Sequence, residues 1–209
     1  GVGLIVGALS VTGLSGTLVN DLLYLAGDSI WLLLLMGALT SFVLGIGMTV
    51  TAAYIFLAIV LAPALVQGGL SPMSVHLFIL YWGMLSFITP PVALGAFAAA
   101  SIAGASSLTT GFKAMRLGSV IYFIPFFFVL DPALIMEGSW WQVITGTTTV
   151  TLGIVLIAGS LQDYLPGLGF LDRTGVPGTG GRLLTGLGGV LVALPGLETF
   201  GLAVGDATL

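Results

Sequence analysis

Ser86-Phe87-Ile88-Thr89-Pro90-Pro91-Val92 breaks the apolar run that extends from Ser74 to Gly104. Pro90 and Pro91 carry no backbone N–H, and each ring clashes with the turn before it, so a helix entering from Ser74 stops here. Pro90 also pushes Thr89 out of the α region, and Pro91 does the same to Pro90. The arm before the break, Ser74 to Ile88, amounts to roughly 22 Å of helix, and the arm after it, Val92 to Gly104, to about 20 Å. Neither arm alone crosses a hydrocarbon core of ~30 Å. Together they cross it with an interruption near mid-depth. The carbonyls of the turn ending at Phe87, Ile88 and Thr89 lose their helical partners, and in lipid such groups are satisfied inside the protein or line a water-filled cavity.

A bilayer is the right solvent for this argument because of composition. Of 209 residues, 57% are hydrophobic and 6% are Asp, Glu, Lys or Arg, where a soluble domain carries about 25% charged residues. Mean hydropathy is +1.20. A water-soluble globular enzyme is excluded. The net charge is −4, and the 4 basic residues are too few for a phosphate-binding surface, so nucleic acid is not a partner. The absence of cysteine and the single histidine, His76, exclude disulfides, thiolate chemistry and a multi-histidine metal centre. The 32 glycines fit closely packed and interrupted membrane helices. The chain opens at Gly1-Val2-Gly3, already inside an apolar run, and reads as part of a longer membrane protein.

Outward from the break, the chain divides into four regions. Residues 1–29 read as a transmembrane helix, with Gly3 and Gly7 as a small-residue packing pair. Residues 30–104 contain two apolar arms, 30–66, followed by the broken helix, 74–104. The punctuation between the two arms is Gly45-Ile46-Gly47, then Thr49 and Thr51. Each arm is about 24 Å long, which fits a re-entrant hairpin, with two ordinary spans as the alternative. Residues 105–138 read as a polar turn from Ala105 to Gly111, then a span from about Leu117 to Leu130. Residues 139–209 read as two helices, Trp140–Leu161 and Leu183–Val204, around a Gly- and Pro-rich loop at 162–182. Lys113, Arg116, Arg173 and Arg182 all fall on one side in this topology, and that side is cytoplasmic by the positive-inside rule. Tyr24, Trp31, Trp140 and Trp141 then fall at the opposite interface, as aromatic belts do.

The chemistry is expected at the two interruptions, 45–51 and 86–92. Half-helix C-termini attract cations and half-helix N-termini attract anions. Thr49, Thr51, Ser86 and Thr89 add hydroxyl oxygens, and sodium needs several neutral oxygens at close range. The plain alternative is a kinked helix whose hydroxyls bond the previous turn. His76, at the start of the broken helix, is expected to make a polar interfacial contact. Gly13-Leu14-Ser15-Gly16 matches a short string found around the nucleophile of intramembrane serine proteases. Such an enzyme needs a histidine base within reach, and His76 has no glycine-lined approach, so the chain is read as no enzyme.

Taken in order, Gly45-Ile46-Gly47-Met48-Thr49-Val50-Thr51-Ala52-Ala53-Tyr54, Ala62-Pro63-Ala64-Leu65, His76-Leu77-Phe78, Ser86-Phe87-Ile88-Thr89-Pro90-Pro91-Val92-Ala93-Leu94 and Pro125-Phe126-Phe127-Phe128 with Asp131-Pro132-Ala133-Leu134 resemble the large permease subunit of TRAP transporters, the DctM-like component. The fused type that works with TAXI-class binding proteins is the nearer match. The resemblance covers about 1–138 well and the last two helices loosely. It implies an all-α, polytopic fold with a re-entrant hairpin and a discontinuous helix, the second inverted repeat of an elevator-type transporter, in the C-terminal part of the permease. It implies import of small organic acids with sodium as coupling ion and no other cofactor. The implied partners are a periplasmic TAXI-type solute-binding protein, the N-terminal half of the same permease and the lipid bilayer of a bacterial or archaeal cytoplasmic membrane. Carried onto this chain, ion-binding positions are Gly45, Gly47, Ser86, Thr89 and Val92, and substrate-binding positions are Thr49, Thr51, Pro90 and Pro91. Val50 stands where the family often has Pro, and Phe87 where it often has Asn. The alternative function is a non-transporting or channel-like membrane scaffold subunit.

Overall fold

A computed structural model of the chain describes residues 2–27, 29–47, 49–167, 169–171 and 178–194. Asp28, Met48, Asp172, Arg173 and the run 195–209 with Pro195, Glu198 and Asp206 lie outside these residues. The chain forms two compact units, Gly1–Val129 and Leu130–Leu209.

The first unit is built from short helices. The apolar stretch 1–29, read above as one helix, holds two: α1 (Val2–Thr12) and α2 (Leu14–Ala26). Gly13 separates them at φ +71°, a conformation open to glycine at little cost. The hairpin follows as α3 (Ile30–Gly47), α4 (Val50–Val60) and α5 (Ala62–Gln67). Thr49 starts α4 as its N-cap, its side chain accepting the Ala52 N–H at 3.4 Å. The return arm divides at Leu61 because Pro63 sits in the first turn of α5, where its missing N–H is harmless. The discontinuous helix is α6 (Pro72–Met84), a 3-10 turn Leu85–Phe87, an irregular stretch to Ala93, and α7 (Leu94–Ala103). The core gathers Leu34, Leu57, Leu61, Leu65, Val75, Phe78 and Ile79, all fully buried.

Two sequence expectations fail in 105–138, for local reasons. The polar stretch read as a turn is helical: α8 (Ser107–Leu117) begins after Ser106, whose carbonyl accepts from the Thr110 N–H and hydroxyl, both at 2.9 Å. Serine next to a helix start is a cap residue as readily as a turn residue. The apolar stretch 117–130 is not one helix. It forms a 3-10 helix Ser119–Tyr122 and then α9 (Ile124–Leu130), bent by 66° from α8. Gly118 and Pro125 bracket the irregular part, and Pro125 cannot donate to the turn before it.

α3 and α6 lie side by side and run in the same direction. Phe42 meets the Trp82 ring edge-on, with centroids 6.3 Å apart. One turn further, Gly45 is so close to α6 that a Cβ there would lie 2.6 Å from the Gly83 carbonyl oxygen and 3.0 Å from the Gly83 Cα. At the other end Leu33 packs on Gly68, where a Cβ would come within 2.7 Å of its methyl.

The second unit is a helical pair. Ser139 and Gln142 form a capping box at the start of α10 (Trp140–Gln162). A two-stranded antiparallel ribbon follows, β1 (Tyr164–Leu165) with β2 (Gly169–Phe170), then α11 (Gly178–Ala193). The helices touch backbone to backbone: a Cβ on Gly153 would lie 2.6 Å from the Gly189 carbonyl oxygen, and one on Gly189 2.8 Å from that of Gly153. Ser160 donates to the Arg182 carbonyl at 2.6 Å, and the Arg182 Nε donates back to the Ser160 carbonyl at 3.0 Å.

Among the described residues α10, with 23 residues, is the one helix long and apolar enough to cross a membrane by itself. The other apolar helices are short, as an architecture of hairpin and half-helices requires.

The two glycine contacts predict asymmetric responses. In the purified protein, Gly45→Ala is expected to destabilise by about 1–3 kcal/mol through overpacking. Gly83→Ala is expected to be neutral or stabilising, because a Cβ there has nothing within 4 Å and alanine favours the helix. Likewise Gly189→Ala should loosen the α10–α11 pair while Gly188→Ala, open on all sides, should not. Thermal unfolding in detergent reads all four.

Candidate functional site

The break in the α6–α7 segment has an uneven hydrogen-bond pattern. Three donors converge on one acceptor: the Leu85 carbonyl accepts the N–H of Ile88 and of Thr89, each at 3.1 Å, and the Thr89 hydroxyl at 2.7 Å. The Thr89 carbonyl in turn accepts the Ala93 N–H at 3.1 Å. Between them, the carbonyls of Ser86 and Phe87 would find their helical donors at positions 90 and 91, which are proline. No backbone donor among the described residues reaches the carbonyls of Ser86, Phe87 or Ile88. Phe87 O is directed at α7, where a Cβ on Gly95 would approach it to 3.3 Å. The Pro90–Pro91 peptide is cis, and Ala93 sits at φ +36° just before α7.

Both hydroxyls of the break are buried, and both bond within their own turn. Ser86 Oγ donates to the Gly83 carbonyl at 2.9 Å, and Thr89 Oγ1 donates to Leu85 as above. That is the pattern of the plain kinked helix for the side chains, whereas the three main-chain oxygens remain without such a partner.

The end of α3 supplies the neighbouring wall. Gly45 lies against Gly83, one residue before the final residue of α6, so the C-terminal turns of two parallel helices come together beside the break. Each such end carries a partial negative charge from its unpaired carbonyls. Ser41, on the same face as Gly45 and one turn earlier, is fully buried, and its hydroxyl has no partner among the described residues.

Of the positions expected from sequence, Gly45, Ser86 and Thr89 are thus gathered around Gly83–Leu85. Gly47 ends α3. Val92 is half-buried in the irregular stretch before α7. Pro90 is half-buried with its ring against α8, where a Cβ on Gly111 would meet Pro90 Cγ at 2.8 Å, and Pro91 is exposed. Thr49 uses its side chain to cap α4, and Thr51 is exposed in the first turn of that helix.

Several contributors were not identified from sequence. Tyr122 places its hydroxyl 2.7 Å from Thr89 Oγ1. Leu85 and Gly83 act through their carbonyls, which no residue type advertises. Tyr54, on the hairpin's return arm, places its hydroxyl 3.1 Å from Nδ1 of the half-buried His76, the residue for which a polar contact was expected. Ser41 resembles any other helical serine in sequence. The second unit has its own concavity, about 620 Å³, lined by Asp131, Glu137, Gln142 and Thr145. There Asp131 Oδ1 accepts the Ala133 N–H at 3.1 Å, the task of a helix cap. Among the described residues no three acidic or histidine side chains group as a metal site.

No curated protein and no solved structure matches the chain. The family model described as "Tripartite ATP-independent periplasmic transporter, DctM component" matches residues 1–142, which take in the whole hairpin, the discontinuous helix and α8–α9. Its members are transporter components integral to a membrane, in accord with the apolar, interrupted helices above. On that match the chain belongs to the DctM family, the large permease component of TRAP transporters.

Proposed function

We propose that this chain forms the hairpin-plus-broken-helix repeat of a sodium-coupled permease that imports small organic acids delivered by a periplasmic binding protein of the TAXI class. The N-terminal half of the same permease supplies the inverted counterpart, in the cytoplasmic membrane of a bacterium or archaeon. The observation that carries the reading is that the main-chain oxygens of Ser86, Phe87 and Ile88 take no backbone donor among the described residues, in a break that follows directly on the close approach of α3 to the end of α6 at Gly45 and Gly83. Two helix C-termini contribute roughly half an elementary negative charge each, together about enough to balance one monovalent cation. Neutral oxygens without a carboxylate suit an ion that must be released again. Past the break, α7 begins at Leu94, and its first N–H groups lack intrahelical partners, as at any helix start. That end favours an anion such as a carboxylate.

One observation favours the second reading, a non-transporting or channel-like scaffold subunit. The Ser86 and Thr89 hydroxyls are already satisfied by their own turn, as in a simple kink. The two readings differ in their response to sodium.

In the purified full-length permease, sodium should raise the unfolding temperature while choline at equal ionic strength does not. Thr89→Val should raise the half-saturating sodium concentration about tenfold, the effect of losing one ligand of roughly 1.4 kcal/mol. Thr110→Val, whose hydroxyl bonds only its own helix, should leave it in place. A flat sodium response in the wild type would decide for the scaffold. Replacing Pro90 and Pro91 together by Ala restores two N–H donors and should abolish uptake of the acid that thermal-shift screening finds for the cognate binding protein.

A further inference from the structure

We propose that Tyr122 is a positioning residue that lowers the affinity of the break for its cation by occupying a lone pair of Thr89. The inference rests on the reading of Thr89 as an ion ligand and adds a residue on a separate element to it.

The hydrogens decide the direction. Thr89 Oγ1 has one proton, and its 2.7 Å partner Leu85 O can only accept. With that proton committed, the 2.7 Å contact to the Tyr122 hydroxyl is one in which Tyr122 donates. Of the two lone pairs on Oγ1, one is therefore taken, and the positive end of the Tyr122 O–H dipole points at the atom a cation would touch. A cation arriving at Thr89 either shares the oxygen against that dipole or displaces it.

The rest of the segment keeps the hydroxyl in place. The Tyr122 ring meets the Trp82 ring at 6.1 Å and 65°, and Trp82 stands on α6 just before the break. On the same segment, α8 and the turn after it close on the interruption through two glycines. A Cβ on Gly111 would strike the Pro90 ring at 2.8 Å, and one on Gly118 would approach Ile88 Cδ1 to 3.0 Å. Residues 107–122 thus form a strap over Ile88, Thr89 and Pro90. Loss of the Thr89–Tyr122 contact on ion binding would be felt directly by the strap.

The test is the sodium titration of thermal unfolding, on the full-length permease with choline as the balancing cation. Tyr122→Phe keeps the ring and its packing, and its unfolding temperature without sodium shows whether the fold is intact. Tyr122→Phe should lower the half-saturating sodium concentration about fivefold, the ratio carried by one net hydrogen bond of ~1 kcal/mol. In the Thr89→Val background the same substitution should change nothing, since its effect runs through the Thr89 oxygen. In the Thr89→Ser background, where the hydroxyl persists, the fivefold effect should return. An unchanged or raised half-saturation in Tyr122→Phe, with the wild type responding to sodium, overturns this proposal alone. So does an equal shift with and without the Thr89 hydroxyl. A wild type indifferent to sodium overturns the functional reading and takes this one with it.

Discussion

Two consecutive prolines deny a membrane helix the donors that its preceding carbonyls require. Much of the first unit is arranged around that deficit. In water such carbonyls would be hydrated at little cost. In a hydrocarbon solvent each unsatisfied group costs several kcal/mol, so the chain must gather other groups around the break. It gathers them unevenly. The Leu85 carbonyl takes three donors, while those of Ser86, Phe87 and Ile88 take none from the described backbone. A kink that served only to redirect the chain would be better off spreading those donors.

The second element of the design is the close approach of α3 to α6. With glycine at 45 the α3 backbone can touch the Gly83 carbonyl, so two helix ends of like polarity lie together beside the break. Like ends repel, and their pairing is stabilised by what surrounds them: the Phe42–Trp82 contact, the Phe78–Trp82–Phe126 cluster and the buried leucines of the return arm. An incoming cation would relieve that repulsion.

Parts of this were legible in the sequence and parts were not. Proline chemistry is local, so the break at 86–92 and its cause could be read from adjacent letters. The same holds for the hairpin turn near Gly45–Thr51. Local chemistry also misled. Ser106 and the residues after it read as a turn because serine, threonine and glycine serve turns and helix starts alike. The span 117–130 read as one helix because hydropathy reports burial and not the backbone N–H that Pro125 lacks. The stretch 1–29 read as one helix because hydropathy runs on through Gly13, yet the positive φ of that glycine divides α1 from α2. Tyr122 lies 33 residues from Thr89, beyond the range of any periodicity argument.

By itself the sequence determined the solvent and the punctuation: a charge-poor, glycine-rich chain must fold in lipid, and Pro90-Pro91 must interrupt whatever helix contains them. Those outcomes follow from side-chain transfer and from a missing hydrogen, which no tertiary contact can alter. Only the tertiary structure decided which glycine faces which carbonyl, which hydroxyl reaches Thr89, and which main-chain oxygens stay open. Those depend on how helices far apart in the chain come to touch, and packing of that kind leaves no mark in the order of the residues.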